Sequence, residues 1–445
     1  MKRRIYLYLL LVFILVLSAC SSKETGGKKG EDGPNEKETE LELTFDSSLE
    51  GEINFWTFVG GFEEIIEEFN KVYPNIKVNL VTNWEIHDNL QTTMNAGSGA
   101  PDVALVEVGQ FPRYVTGDLL EDLLAEPYNA GRYKEMVSDY SWERWKSVDG
   151  EKLLGMPWDV TPGVFLYRAD IYDQMGLPSE PEELGEFLLD PNNVLEAAKT
   201  LAANGIYMFE WRDSPAIQYG DAVGYFDSNY NWTRNDEKMV ELLDFIKQGV
   251  QIGWAPQVSV LYDDAGKQLI NQGKVASFPI GSWGARELQN LFPEQAGKWR
   301  ATTMPLGLNV GLGGSTFVIP AQSKNKEAAW AFVEWTNLAE EAWKIFADDS
   351  IQPAWKHITN LPWYQEHVNE YLGGQFDYKL YDSIDDDIPV RRYTPLDGQA
   401  WPIYIDRIHE SVDNNIDSRT TLNQIEEAAL KQLGPEIEKL KRGTD

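Results

Sequence analysis

Cysteine, histidine and basic residues are the scarce types in this chain. Of 445 residues one is a cysteine, Cys20, so no disulfide can form within the chain. Its place at the end of an apolar leader speaks against a catalytic thiol. The four histidines, His87, His357, His367 and His409, show no metal-ligand spacing, and neither a Gly-x-Ser-x-Gly elbow nor a phosphate-cradling glycine loop occurs. Lys and Arg number 39 against 71 Asp and Glu, a formal net charge of −32 that repels nucleic acid and anionic headgroups. So many carboxylates make a glycosidase-like pair uninformative, because some pair can always be posed. These absences predict no enzyme, no cofactor, no metal and no nucleic-acid partner.

Aromatic residues are plentiful by contrast, with 16 Trp, 20 Tyr and 18 Phe. The length exceeds one ordinary core, so two lobes are expected. Lys2-Arg3-Arg4 precedes an apolar run, Ile5 to Leu17, which suits a signal peptide and is too short for a membrane span. Leu17-Ser18-Ala19-Cys20 resembles the bacterial lipobox, which implies cleavage after residue 19 and a lipid anchor on Cys20. Residues 20–48, rich in Lys, Glu, Gly and Ser, are expected to form a flexible tether.

From there strands and helices alternate. Glu52 to Thr57 reads as a strand, Phe62, Ile65, Ile66, Phe69 and Tyr73 as a helix stopped by Pro74, and Ile76 to Leu80 as a second strand. A helix over residues 86–96 and a strand over 103–108 follow. The stretch Leu153 to Arg168 breaks at Pro162-Gly163, which predicts a passage between lobes. Beyond it the pattern predicts strands at 206–209, 274–280 and 316–319, with helices at 193–203, 240–250, 326–337, 340–348, 400–414 and 421–433. Crossings are expected at Asp159 to Gly163, Gly313 to Phe317 and Gln352 to Trp355. The predicted class is α/β, with parallel sheets covered by helices. Lobe 1 would comprise residues 49–160 and 316–352, and lobe 2 residues 161–315 and 353–440.

Phe55-Trp56, Gly99-Ala100-Pro101-Asp102-Val103, Gly155-Met156-Pro157-Trp158-Asp159, Gly281-Ser282-Trp283-Gly284, Gly313-Gly314-Ser315-Thr316-Phe317 and Asn325-Lys326-Glu327-Ala328-Ala329-Trp330 together resemble the extracellular solute-binding proteins of bacterial ABC importers. The resemblance is to the sugar-binding family that includes maltodextrin-binding protein. It implies a two-lobed periplasmic-binding-protein fold with a hinge and an interlobe cleft, a monomer, an oligosaccharide ligand and the importer's membrane permease as partner. Ligands of open α/β sheets lie beyond the carboxyl ends of strands. That rule selects Trp56 and Thr57, Trp84, Glu85 and Asp88, Gly109 and Gln110, Trp211, Arg212 and Asp213, and Ser282 and Trp283. Trp158 and Asp159 at the crossing offer a ring face and a carboxylate, although a buried Trp beside a turn-forming Asp is the plainer reading. Gly314 joins the set from the glycine run. Trp401 joins by the resemblance alone. Gly109 and Thr161 stand where maltodextrin binders carry carboxylates, which speaks against maltose. A peptide, metal or other solute on the same fold stays open as an alternative.

Overall fold

The computed structural model describes residues 45–443. Ten strands, numbered in chain order, occur among them: β1 Gly51–Thr57, β2 Ile76–Thr82, β3 Val103–Glu107, β4 Met156–Pro157, β5 Asp159–Val160, β6 Gly163–Arg168, β7 Ser277–Gly281, β8 Trp299–Thr302, β9 Ser315–Val318 and β10 Gln352–Pro353. Leader, Cys20 and most of the expected tether lie outside the described residues. Within the span expected to be tether, Phe45 sets its ring edge-on to Tyr73 with centroids 6.4 Å apart, so the end of that span packs on the first core.

The first sheet runs β2-β1-β3-β9-β4. Alternation in β1 buries Ile53, Phe55 and Thr57 on one face. Against that face packs the helix Phe62–Val72, with Phe62, Ile65 and Phe69 buried. The helix Lys326–Leu338 returns to the same core, where Phe332 lies 5.0 Å from Phe55 and 5.2 Å from Phe69, centroid to centroid. Only β1, β2 and β3 are parallel; β9 runs antiparallel to both β3 and β4. The expectation of parallel sheets is therefore corrected, and more strongly in the second sheet, where β7-β6-β8 is antiparallel throughout. The strand expected at 206–209 reduces to a single parallel bridge between Tyr207 and Val275. The chain peels away there because the amides of Met208 and Phe209 both turn to the Trp254 carbonyl.

Around the second sheet pack the helices Pro191–Ala203, Glu237–Ile252, Asp397–Asn414 and Ser418–Lys441, whose Leu201, Ile246, Tyr404, Ile408 and Ile425 share one core with Phe165 and Tyr167 of β6. Val164 and Leu166 on the other face of β6 join Phe278, Trp299 and Tyr381. Between the sheets, β5 and β10 form a two-stranded antiparallel ribbon. The Ser315 carbonyl accepts from Trp158 N, and the Thr161 carbonyl from Leu312 N. The three expected crossing segments therefore run side by side. Among the described residues no helix is long and apolar enough to cross a membrane.

Candidate binding cleft

A cleft of about 770 Å³ opens where the segment Gly311-Leu312-Gly313 meets the carboxyl end of β3. One wall is the last residue of β3, Glu107, and the loop after it, with Val108, Gly109 and Pro112. Facing it are Glu210, Trp211 and Asp213, the start of the helix Ser214–Val223, the segment around Tyr262, Trp283 after β7, and the first turns of the helix Asp397–Asn414. Four rings on that side are open to the cleft, Trp211, Tyr262 and Trp401, which are 38%, 64% and 42% exposed, and the half-buried Trp283, while the rings of Tyr225 and Tyr393 line it buried. The Trp283 indole N–H donates to the Leu312 carbonyl at 2.9 Å, which fixes the ring plane.

The charged groups are mostly carboxylates. Glu107 accepts the Gly109 amide at 2.7 Å, and burial pushes its carboxyl up to about 7, against the pull of that amide and of Arg144. Glu210 accepts the Val260 amide at 3.1 Å and is likewise pushed up to about 7 by burial. Asp213, nearly buried, meets His409 Nε2 at 2.9 Å. Arg391 sits between Asp397, 3.7 Å away, and the Tyr393 ring. Among the described residues no group of three or more His, Cys, Asp or Glu side chains could hold a metal ion.

Of the residues selected from sequence, Gly109, Trp211, Asp213, Trp283 and Trp401 line this cleft. Gln110 is half-buried next to it, at the entry of the turn Phe111–Tyr114. Trp158 is corrected: it is 1% exposed in the first core, stacked on Trp343 with centroids 5.7 Å apart, so no ligand ring reaches its face. Asp159 is also drawn away, because its Oδ1 accepts the Ser315 amide at 2.6 Å. Thr57 is fully buried and turns its hydroxyl to Val59 N. Arg212 forks onto Asp413 at 2.5 and 3.3 Å instead of donating into the cleft. Ser282 is fully buried, and Gly314 holds a left-handed backbone, φ +102°, against Arg144. Trp56 is half-buried at the end of β1. Trp84 is 56% exposed, its ring edge on Phe58, beside exposed Glu85 and an Asp88 paired with Arg113; none of these three lines the cleft.

Sequence reasoning missed Glu107, Glu210 and Tyr262. Glu107 closes β3, so the rule of strand carboxyl ends would have found it. Tyr262 sits in a loop that follows no strand, and nothing in the pattern marks it.

The family of bacterial extracellular solute-binding proteins matches residues 56–343. By sequence the chain is similar to the arabinooligosaccharide-binding protein of Halalkalibacterium halodurans, 26% identical over 381 residues that span 77% of this chain and 81% of the relative. It is similar in the same degree to the arabinooligosaccharide-binding protein of Bacillus subtilis, 26% identical over 377 residues, 78% of this chain and 79% of the relative. In structure it is similar to an ABC transporter associated binding protein from B. animalis subsp. lactis in complex with β-1,6-galactobiose, with a TM-score of 0.70, 23% identity, and coverage of 87% of this chain and 98% of that one. The fold they share is two-lobed.

Proposed function

Since the chain belongs to the bacterial extracellular solute-binding proteins, we propose that its cleft captures a neutral oligosaccharide and that the loaded protein delivers it to an ABC importer in the cell membrane. The observation that carries this reading is the set of four aromatic rings around one cleft, Trp211, Tyr262, Trp283 and Trp401. Sugar C–H faces are slightly positive and ring faces negative, so successive sugar units stack on such rings while shedding water. Glu107, Glu210 and Asp213 accept hydroxyl hydrogen bonds, worth about 1.5 to 3 kcal/mol where the acceptor is ionised, which for Glu107 and Glu210 means above about pH 7. The same carboxylates repel an anionic sugar. The names of the two sequence relatives favour an arabinose oligomer as the first ligand to try.

Calorimetric titration with arabinose, arabinobiose and arabinotriose, beside a thermal-shift panel of other sugars, peptides and metals, tests the reading. Affinity should rise with each unit. Equal affinity for monomer and trimer, or a response to peptides or metals alone, defeats it.

Cys20 is the lipidated first residue of the mature chain; Cys20→Ser protein expressed in its host should leave the membrane fraction, and persistence there after carbonate washing would refute the anchor. Residues 49–160 with 316–352, and 161–315 with 353–440, form the two lobes that close over the ligand about the β5–β10 ribbon.

A further inference from the structure

We propose that Arg144 is the positioning residue of the cleft floor: its guanidinium holds Gly313 and Gly314 in the arrangement that presents Trp283 and the loop after β3 to a ligand. This rests on solute binding in the cleft, and not on the solute being a saccharide.

Arg144 ends the short helix Asp139–Glu143 and is 1% exposed. Its guanidinium lies over the rings of Tyr140 and Trp145, 4.5 and 4.6 Å from their centroids, so its plane is fixed from two sides. Nη2 donates to the Gly313 carbonyl at 2.7 Å and to the Tyr393 hydroxyl at 3.4 Å. Both acceptors line the cleft, and they come from separate stretches of chain. Among the described residues no carboxylate pairs directly with this cation; Asp159 and Glu107 pull on it from a distance, and Asp159 is engaged with the Ser315 amide. Burying a charge in this way is unfavourable, and an apolar side chain between the two rings would serve packing better.

What the charge secures is a junction. Gly313 and Gly314 take φ of +107° and +102°, where a side chain is strained, and a Cβ on Gly314 would stand 3.1 Å from Arg144 Nη1. One residue earlier, Leu312 takes the Trp283 indole N–H; at Gly314 the carbonyl takes the Val108 amide at 2.9 Å. A shift of this segment therefore moves the ring platform and the Glu107 loop together. Arg144 Nε and Nη1 and the Thr161 hydroxyl, 3.4 Å from the same Cβ position, find no hydrogen-bond partner among the described residues. They leave donors free at the place where the crossing segments must slide when the hinge turns.

The test uses the whole folded protein, with Arg144→Lys and Arg144→Met beside Phe69→Leu, which opens the first core away from the cleft. In ligand-free protein, hydrogen exchange at the Val108 and Leu312 amides should quicken at least tenfold in both Arg144 variants while the thermal midpoint of Arg144→Lys stays near that of the wild type. With arabinotriose as probe, dissociation should quicken at least tenfold in Arg144→Lys, whereas Phe69→Leu lowers the midpoint and leaves affinity unchanged. If Arg144→Met fails to fold, Arg144→Lys carries the test. Unchanged exchange at both amides overturns the proposal whatever the affinity does, and so does arabinotriose binding within twofold of wild type. A wild-type protein that ignores every saccharide refutes the oligosaccharide reading alone, and the exchange rates then decide the role of Arg144.

Discussion

Replacing Trp158 by Ala would empty a position packed by Phe62, Phe317, Trp343 and Phe346. Large-to-small changes of this kind cost about 3 to 5 kcal/mol of stability. Trp283→Ala should act in the opposite way, lowering saccharide affinity by roughly 2 kcal/mol or more, as a buried anchor does, with little change in midpoint. Denaturant titration and calorimetry on both variants separate the two effects; the same pattern in both would remove the distinction. The sequence separates these tryptophans only in part: the rule of strand carboxyl ends selects Trp283, while a buried ring is the plainer reading of Trp158. What separates them is the side of the chain they face, which depends on the register of short strands such as β4 and β5. Glu107 adds a pH signature. Its folded carboxyl is raised to about 7 from 4.5, so the folded state holds the extra proton between those values. Stability from this group is complete below about 4.5 and is lost as pH rises through 7. Glu107→Gln, which still accepts the Gly109 amide, should flatten the fall of the thermal midpoint across that window, and an unaltered pH slope would contradict the assignment.

At the scale of elements, the passage around Gly311 is the tightest in the cleft floor. A Cβ there would stand 1.7 Å from the Tyr140 hydroxyl oxygen, an overlap that only movement of the ring or the strand relieves. Gly311→Ala should cost about 1 to 3 kcal/mol, typical of overpacking. The double variant with Tyr140→Phe should recover part of that loss, because the clashing oxygen is gone. Equal stability of the single and double variants in urea melts would show that the clash lies elsewhere. Helices were legible here because their spacing of apolar residues reports one buried face: the pattern at Phe62, Ile65 and Phe69 gave that helix within a residue or two. Strand direction was not. All six residues of β6 are buried, which resembles a strand of a parallel sheet, yet the burial comes from two cores on either face of an antiparallel one. Hydropathy records how many faces are covered, and it is silent on which way the neighbouring strands run.

For the whole molecule, closure depends on how ligand contacts divide between the cleft walls. The rings Trp211, Tyr262, Trp283 and Trp401 all belong to the proposed lobe 2, so a saccharide can stack there while the cleft is open. Glu107, Val108, Gly109 and Pro112 belong to the other wall, which the proposed closure brings against the ligand. A ligand shifts an open–closed equilibrium by its differential affinity for the two forms, and moving it from 1:99 to 99:1 takes about 5.5 kcal/mol. That difference must come chiefly from the loop after β3, because the stacking is available to both forms. Removing one acceptor there should therefore impair closure more than docking. Small-angle scattering of the wild type should show a smaller radius of gyration at saturating arabinotriose, and Glu107→Ala should contract less while its tryptophan fluorescence still responds to the sugar. An unchanged radius in a wild type shown to be open beforehand would rule out closure. Full contraction of Glu107→Ala would show that the loop after β3 is not what rewards it.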